Sequence, residues 1–161
     1  MQITTNSPEE THNLGRQLAE CLQAGDLVLL FGDLGCGKTL FTQGIGKGLE
    51  VAEEEYIRSP SYTLINEYQA KFPIIHADLY RLENATEIES IGLEDVLYTS
   101  AVTIIEWAEK LYKTVGNEEI ISHGIDDRFE IRISIQEDES RLFDIQSMHA
   151  NERRLPEFTL L

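Results

Sequence analysis

Leu27-Val28-Leu29-Leu30-Phe31-Gly32-Asp33-Leu34-Gly35-Cys36-Gly37-Lys38-Thr39 is the stretch that decides the architecture of this chain. Its first residues form an apolar run without polar alternation, the pattern of a strand buried on both faces of a parallel sheet. Gly32 to Thr39 then fits the pattern GxxxxGK[ST]. From Lys38 to about Leu49 the periodicity becomes helical, with Leu40, Phe41, Ile45 and Leu49 apolar. Strand, glycine-rich turn and helix, in that order, make a phosphate-binding loop. Glycines let the backbone of Asp33, Leu34, Gly35, Cys36 and Gly37 turn its N–H groups inward, and the positive end of the following helix adds to them. Lys38 is then placed to reach the β and γ phosphates, and the Thr39 hydroxyl to ligate Mg²⁺. A glycine-rich turn with no ligand is the alternative, and the flanking strand and helix count against it.

Upstream, Ser7-Pro8-Glu9-Glu10 has the form of a helix start, with a capping serine, a proline at the first position and Glu10 completing a capping box. Leu14, Leu18 and Leu22 recur at helical spacing, and Gly25 predicts an end near Ala24. Downstream, past Glu53-Glu54-Glu55, Tyr62 to Tyr68 and Phe72 to Ile75 have strand character, joined by a hairpin connection at Gln69-Ala70-Lys71. Asn84 to Ile91 and Leu93 to Tyr98 read as short helices. Ala101 to Ile105 is a second buried strand, ending at Glu106-Trp107. Arg128 to Ile135 alternates with Phe129, Ile131, Ile133 and Ile135 on one face, and Arg141 to Ile145 pairs with it. The pattern is α/β: P-loop NTPase-like, a central mainly parallel sheet flanked by helices, with added antiparallel strands. From about Met148 no strong pattern remains.

With 161 residues, one domain with a single sizeable core is expected. The two cysteines, Cys21 and Cys36, show no CxxC spacing, so a disulfide framework is not expected. No apolar run is long enough to cross a bilayer. Met1 to Thr5 lacks the basic start and apolar core of a signal peptide, so a cytoplasmic location is expected. The net charge of −16, from 29 acidic and 13 basic residues, disfavours autonomous nucleic-acid binding. The longest basic run is Arg153-Arg154. The acidity fits either docking on a basic protein or a plain solvated surface.

Other residues carry chemistry by position. Glu106 ends a buried strand at the edge of the sheet where ligands gather, either as a Mg²⁺ or water-orienting carboxylate or as a solvated acid. Asp78, just past the run Phe72 to Ile75, is a second candidate. His76 reads as a structural hydrogen bonder, and Trp107 on sequence statistics as core or surface anchor. Ser59 and Ser61 lie where switch hydroxyls sense the γ-phosphate in P-loop proteins, although an ordinary turn explains them equally.

Gly32 to Thr39, Ser59-Pro60-Ser61-Tyr62, His76-Ala77-Asp78-Leu79-Tyr80-Arg81-Leu82 and Ile105-Glu106-Trp107-Ala108-Glu109-Lys110 stand in the order found in the TsaE (formerly YjeE) family. Gly92 to Asp95 matches a further run, and the chain resembles that family over roughly residues 7 to 146. The family is the P-loop ATPase of bacterial tRNA threonylcarbamoyladenosine modification. The resemblance implies that Lys38 and Thr39 hold ATP and Mg²⁺, with Glu106 on the metal. It also implies that Asp78 belongs to the water or metal shell, that Ser61 belongs to a switch, and that Trp107 is an active-site or partner-contact residue. Lys38, Asp78 and Glu106 are the expected catalytic set. Thr11 lies where the family contacts base or ribose, and Arg141 is a weaker nucleotide candidate. Two departures stand out: Ser61 replaces the family threonine, and Cys36 replaces the usual alanine, which points to a thiol-sensitive loop.

From length and from the loss of pattern after Met148, residues 1–147 are expected to form one P-loop ATPase domain and 148–161 a tail for which mobility is left open. The activity that the resemblance implies is Mg-dependent ATP hydrolysis supporting threonylcarbamoyl transfer to the adenosine beside the tRNA anticodon. TsaD-like and TsaB-like partner proteins are implied, with tRNA reached only through the complex. Slow hydrolysis alone is expected because no arginine finger stands near a predicted phosphate edge. A small-molecule or nucleotide kinase is one rival, weakened by only eight scattered arginines. A nucleotide-gated binding module with little catalysis is the other. The absence of an NKxD-type motif favours ATP over GTP.

Overall fold

The computed structural model describes residues 1–97, 99–115, 118–121, 125–148 and 155–159. Tyr98 and, within the expected tail, residues 149–154 (Arg153 and Arg154 among them) and 160–161 lie outside the described residues. The strands are β1 (Gln2–Thr5), β2 (Leu27–Phe31), β3 (Ile65–Tyr68), β4 (Ile74–Asp78), β5 (Val102–Glu106), β6 (Tyr112–Val115), β7 (Glu118–Ile121), β8 (Arg128–Ile135) and β9 (Arg141–Met148). The α-helices are α1 (Pro8–Leu18), α2 (Lys38–Gly48), α3 (Ala85–Ser90) and α4 (Leu93–Leu97). The main sheet runs in the order β1-β9-β8-β2-β5-β4-β3, and β6 and β7 form a separate hairpin. Its centre, β8-β2-β5-β4, is parallel, while β3, β9 and β1 join antiparallel at the two sides. This is the P-loop NTPase-like α/β architecture expected from Leu27 to Thr39.

The apolar run of β2 is continuous because both of its faces are covered. Val28 and Leu30 pack in the layer that holds Leu14 and Leu18 of α1 and Phe41 and Ile45 of α2. Leu27, Leu29 and Phe31 pack in the opposite layer, with Leu79, Leu93 and Leu111. Each such side chain contributes about 1.5–3 kcal/mol on burial. The sheet order also brings the C-terminal ends of β2, β5 and β4 side by side, and the site grows from those ends.

Helix α1 begins at the predicted Ser7 cap, although Glu10 closes on Asn6 and not on Ser7. The Ser7 hydroxyl accepts the Glu10 N–H at 3.1 Å, and the Glu10 carboxylate accepts the backbone N–H of Asn6 at 2.6 Å. Its end is earlier than the expected Ala24. After Leu18 the chain tightens into a 3₁₀ turn over Ala19–Cys21. The Gln23 N–H then goes to the Asp26 carboxylate at 2.7 Å, which withdraws it from any helical ladder. Strand β4 runs further than the expected Ile75 and includes His76, Ala77 and Asp78. Strands β1, β6 and β7 have no counterpart in the sequence reading. Each is only four residues long, and β1 exists through its pairing with β9 at the far end of the chain. The last described segment, 155–159, lies on α1. The Gln17 side-chain amide donates to Thr159 O at 2.8 Å and accepts Thr159 N–H at 2.7 Å. Leu155 and Phe158 rest against the core there.

The close approach of α1 to α2 depends on glycine. A Cβ on Gly15 would overlap the Phe41 carbonyl oxygen, and one on Gly44 would overlap that of His12. Both obstacles are backbone and cannot swing away. Gly15→Ala is therefore expected to destabilise the protein by about 1–3 kcal/mol, despite the better helix propensity of alanine. Chemical denaturation would register the loss, and an unchanged midpoint would mean that the helices slide apart at no cost.

Candidate functional site

The loop Gly32 to Gly37 leaves β2 and enters α2. Gly32 has φ 133°, and a Cβ there would overlap the carbonyl oxygen of Ile133 on β8. Gly37 caps α2 at φ 111°, so the helix starts directly at Lys38. These conformations are accessible to glycine and strained for other residues. They aim the loop backbone and the start of α2 at one point in space.

Lys38 is 5% exposed, and its ammonium donates to the carbonyls of Gly32 at 2.5 Å and Asp33 at 3.0 Å. It also lies over the Trp107 ring, 4.0 Å from the centroid. Thr39 donates its hydroxyl proton to Glu106, 2.9 Å from Oε1 and 3.2 Å from Oε2. Glu106 is the last residue of β5, beside Leu30 of β2 in the ladder, and is 2% exposed. His76, on the other neighbouring strand, places Nε2 2.9 Å from the same Oε1. Asp78 is not past its strand, as expected, but ends it, in register with Glu106. One Asp78 oxygen accepts the Tyr80 N–H at 2.8 Å and the other the Ser59 hydroxyl at 2.5 Å.

Two cavities meet at Gly35 and Gly37 of the loop. The larger, about 450 Å³, is lined by Lys38, Thr39, Ser59, Ser61, Tyr80, Glu106 and Trp107 with the loop residues Leu34, Gly35 and Gly37 and with Leu40. Ser61 faces this cavity, while the hydroxyl bonded to Asp78 is that of Ser59. The smaller, about 160 Å³, is lined by Asn6, Ser7, Pro8, Thr11, Cys36 and Arg141, sharing Gly35, Gly37 and Leu40 with the first. Thr11 and Arg141, more than a hundred positions apart in the chain, thus meet beside the loop because β1 pairs with β9. Ser7 and Pro8 were legible only as a helix start and Asn6 carried no signal, so no sequence pattern marked them as cavity wall.

Trp107 follows β5 in the left-handed region, φ 59°, which turns its ring back over the loop. The Tyr80 ring packs on it at 4.9 Å, and Lys110 donates to Tyr80 O at 2.5 Å and Leu82 O at 2.7 Å, tying the two segments together. Burial pushes the Glu109 carboxyl above its usual range, although the positive charges of Lys38 and Lys110 pull the other way. Burial likewise raises the Cys36 thiol, which is 1% exposed. The expectation of a thiol-sensitive loop meets two obstacles there, since reaction needs both the thiolate and access to it.

Chemically, the arrangement brings together one ammonium, a helix N-terminus, a hydroxyl–carboxylate pair and a second buried carboxylate. Glu106 and Asp78 would repel a polyphosphate by themselves. The Thr39 hydroxyl and the Glu106 oxygens suit a small hard cation, which prefers oxygen ligands and would offset that repulsion. As Trp107 is the only tryptophan and carries Lys38 on its face, its emission should change when nucleotide draws the ammonium away. A saturable change in fluorescence on titrating ADP would show it, and constant emission at saturation would mean that Lys38 stays on the ring.

Known proteins resemble this chain in sequence and in fold. The family profile described as threonylcarbamoyl adenosine biosynthesis protein TsaE matches residues 5–143. The tRNA threonylcarbamoyladenosine biosynthesis protein TsaE of Rickettsia bellii is 38% identical over 146 residues, covering 89% of this chain and 93% of that protein. The protein of that name in Bacillus subtilis is 36% identical, over 79% of this chain and 80% of its own length. The one in a Nostoc strain is 48% identical over 64% of this chain, and the match spans 65% of its length, just under two thirds. The crystal structure of Bacillus subtilis YdiB superposes with a TM-score of 0.72 at 27% identity, over 95% of this chain and 88% of that one. A loop, a sheet order and a sequence match that all agree make this chain a member of the TsaE family of threonylcarbamoyl adenosine biosynthesis proteins.

Proposed function

We propose that this chain is a Mg²⁺-dependent ATPase that supports threonylcarbamoyl transfer to the adenosine beside the tRNA anticodon, as a subunit of a cytoplasmic complex with TsaD-like and TsaB-like proteins. The observation that carries the reading is the convergence of Lys38, Thr39 and Glu106 on one cavity beside the glycine loop. Lys38 would hold the β and γ phosphates, and Thr39 and Glu106 would hold Mg²⁺. The ion would neutralise phosphate charge as the terminal phosphoryl group leaves. Asp78, braced by Ser59 and the Tyr80 N–H, would orient water or the metal's water shell. Ser61 would sense the γ-phosphate from the cavity wall. Thr11 and Arg141, in the adjoining cavity, would take the nucleoside end.

Among the described residues no arginine lines the phosphate-side cavity, which supports slow hydrolysis by the chain alone and faster turnover with partners. The net charge of −16 supports a division of labour in which other subunits hold the tRNA. No helix of the described residues is long and apolar enough to cross a membrane. The test incubates the chain with terminally labelled ATP and Mg²⁺, alone and with the TsaD-like and TsaB-like proteins. Free phosphate, released faster in their presence, is the expected result. Stoichiometric transfer of label to a small acceptor would make the protein a kinase. Nucleotide binding without phosphate release in either condition would make it a gated binding module.

A further inference from the structure

His76 occupies a position where a polar ring is costly. It lies between Ile75 and Ala77 in β4, every residue of which is buried, and it is itself 0% exposed. Nδ1 is buried and has no hydrogen-bond partner among the described residues. Among the described residues the ring's one polar contact is Nε2 to Glu106 Oε1 at 2.9 Å. An apolar side chain of similar volume would fill the same space without stranding a polar atom. A ring kept for packing has no need of that bond, and a ring kept for stability would not leave Nδ1 alone.

The bond acts on a flexible partner. Glutamate has one more rotor than aspartate, so a carboxylate at the end of β5 needs something to hold its direction. We propose that His76 is a positioning residue that clamps Oε1 of Glu106, leaving Oε2 the less engaged oxygen and open to the cation. The carboxylate accepts, so Nε2 carries the proton. Oε1 then takes protons from both His76 and Thr39, whereas Oε2 has only the longer 3.2 Å contact to Thr39. The two carboxylate oxygens are thereby made unequal, and the less engaged one is the ligand. His76 touches neither nucleotide nor cation; it acts through Glu106. The inference rests on the reading of Glu106 as a Mg²⁺ ligand.

The test uses the full chain, with His76→Leu removing the donor and His76→Gln presenting an amide N–H at similar reach. Calorimetric titration of ADP is repeated at a series of Mg²⁺ concentrations, so the readout is metal-linked binding and not turnover. In His76→Leu the Mg²⁺ needed to tighten ADP binding should rise roughly 10–100-fold, with metal-free ADP affinity unchanged. His76→Gln should restore most of that loss. The thermal midpoint of His76→Leu should equal or exceed that of the parent, which separates positioning from stability. If the leucine variant fails to fold, His76→Asn, too short to reach Oε1, takes its place and should need more Mg²⁺ than His76→Gln. Folded variants with an unshifted Mg²⁺ requirement, beside a parent that responds to Mg²⁺, overturn the role of His76. A parent whose ADP binding ignores Mg²⁺ overturns instead the cation reading, and the inference with it.

Discussion

Lys38→Ala should lower ATP hydrolysis by at least 10²–10³-fold, the scale of losing one preorganised group that stabilises developing charge. Several contacts converge on this side chain. Its ammonium bonds two loop carbonyls, lies on the Trp107 face and lines the phosphate-side cavity. Nucleotide would exchange the carbonyls for phosphate oxygens, so the lysine trades weak partners for charged ones. Truncation removes that gain and leaves the Gly32 and Asp33 carbonyls without the donor they have here. Lys38→Arg should not rescue. The planar guanidinium fork does not reproduce the compact point charge that the ammonium presents to the Gly32 and Asp33 carbonyls. The measurement is phosphate release at saturating ATP, with circular dichroism to establish that the fold persists. Hydrolysis within tenfold of the parent would remove Lys38 from the catalytic set.

Glu106→Gln should cut hydrolysis by a similar factor, about 10²–10³-fold, through a different cause. The glutamine carbonyl can still accept from Thr39 or His76, so geometry is largely kept while the negative charge is lost. Metal-free nucleotide affinity should therefore hold or improve, because a buried acid no longer faces the phosphates. Mg²⁺ affinity should fall. The split is diagnostic: Lys38→Ala weakens nucleotide binding with or without metal, whereas Glu106→Gln weakens only the metal-linked part. Calorimetry with and without Mg²⁺ separates them, and equal losses in both conditions would mean that Glu106 matters only for folding.

Much of the architecture was legible because its signals are local. The unbroken apolar run Leu27 to Phe31 reports a strand covered on both faces, and the alternation from Phe129 to Ile135 reports one of the strands beside it. Ser7-Pro8 and Glu10 announce a helix start within a few residues. Strands β1, β6 and β7 escaped because each short segment is fixed by a partner strand and not by a period of its own. The early end of α1 escaped because the competitor for the Gln23 N–H is the Asp26 carboxylate, a contact that no helical pattern encodes.

The site divides along the same line. By itself the sequence determined the phosphate loop, the identities of Lys38 and Thr39, and the candidate carboxylates Asp78 and Glu106. Each is marked by a short motif or by its place at a strand end. Tertiary structure decided how they meet. Parallel pairing of β4 with β5 sets Asp78 beside Glu106 and His76 against it across 30 positions of chain. Pairing of β1 with β9 sets Thr11 and Arg141 on one cavity. The closure of the loop before β3 chose Ser59, not Ser61, for the bond to Asp78. The physical reason is range. Helix caps, turns and apolar periods are fixed by neighbours within a few residues, whereas a hydrogen bond between strands depends on a register that only the whole packed sheet specifies.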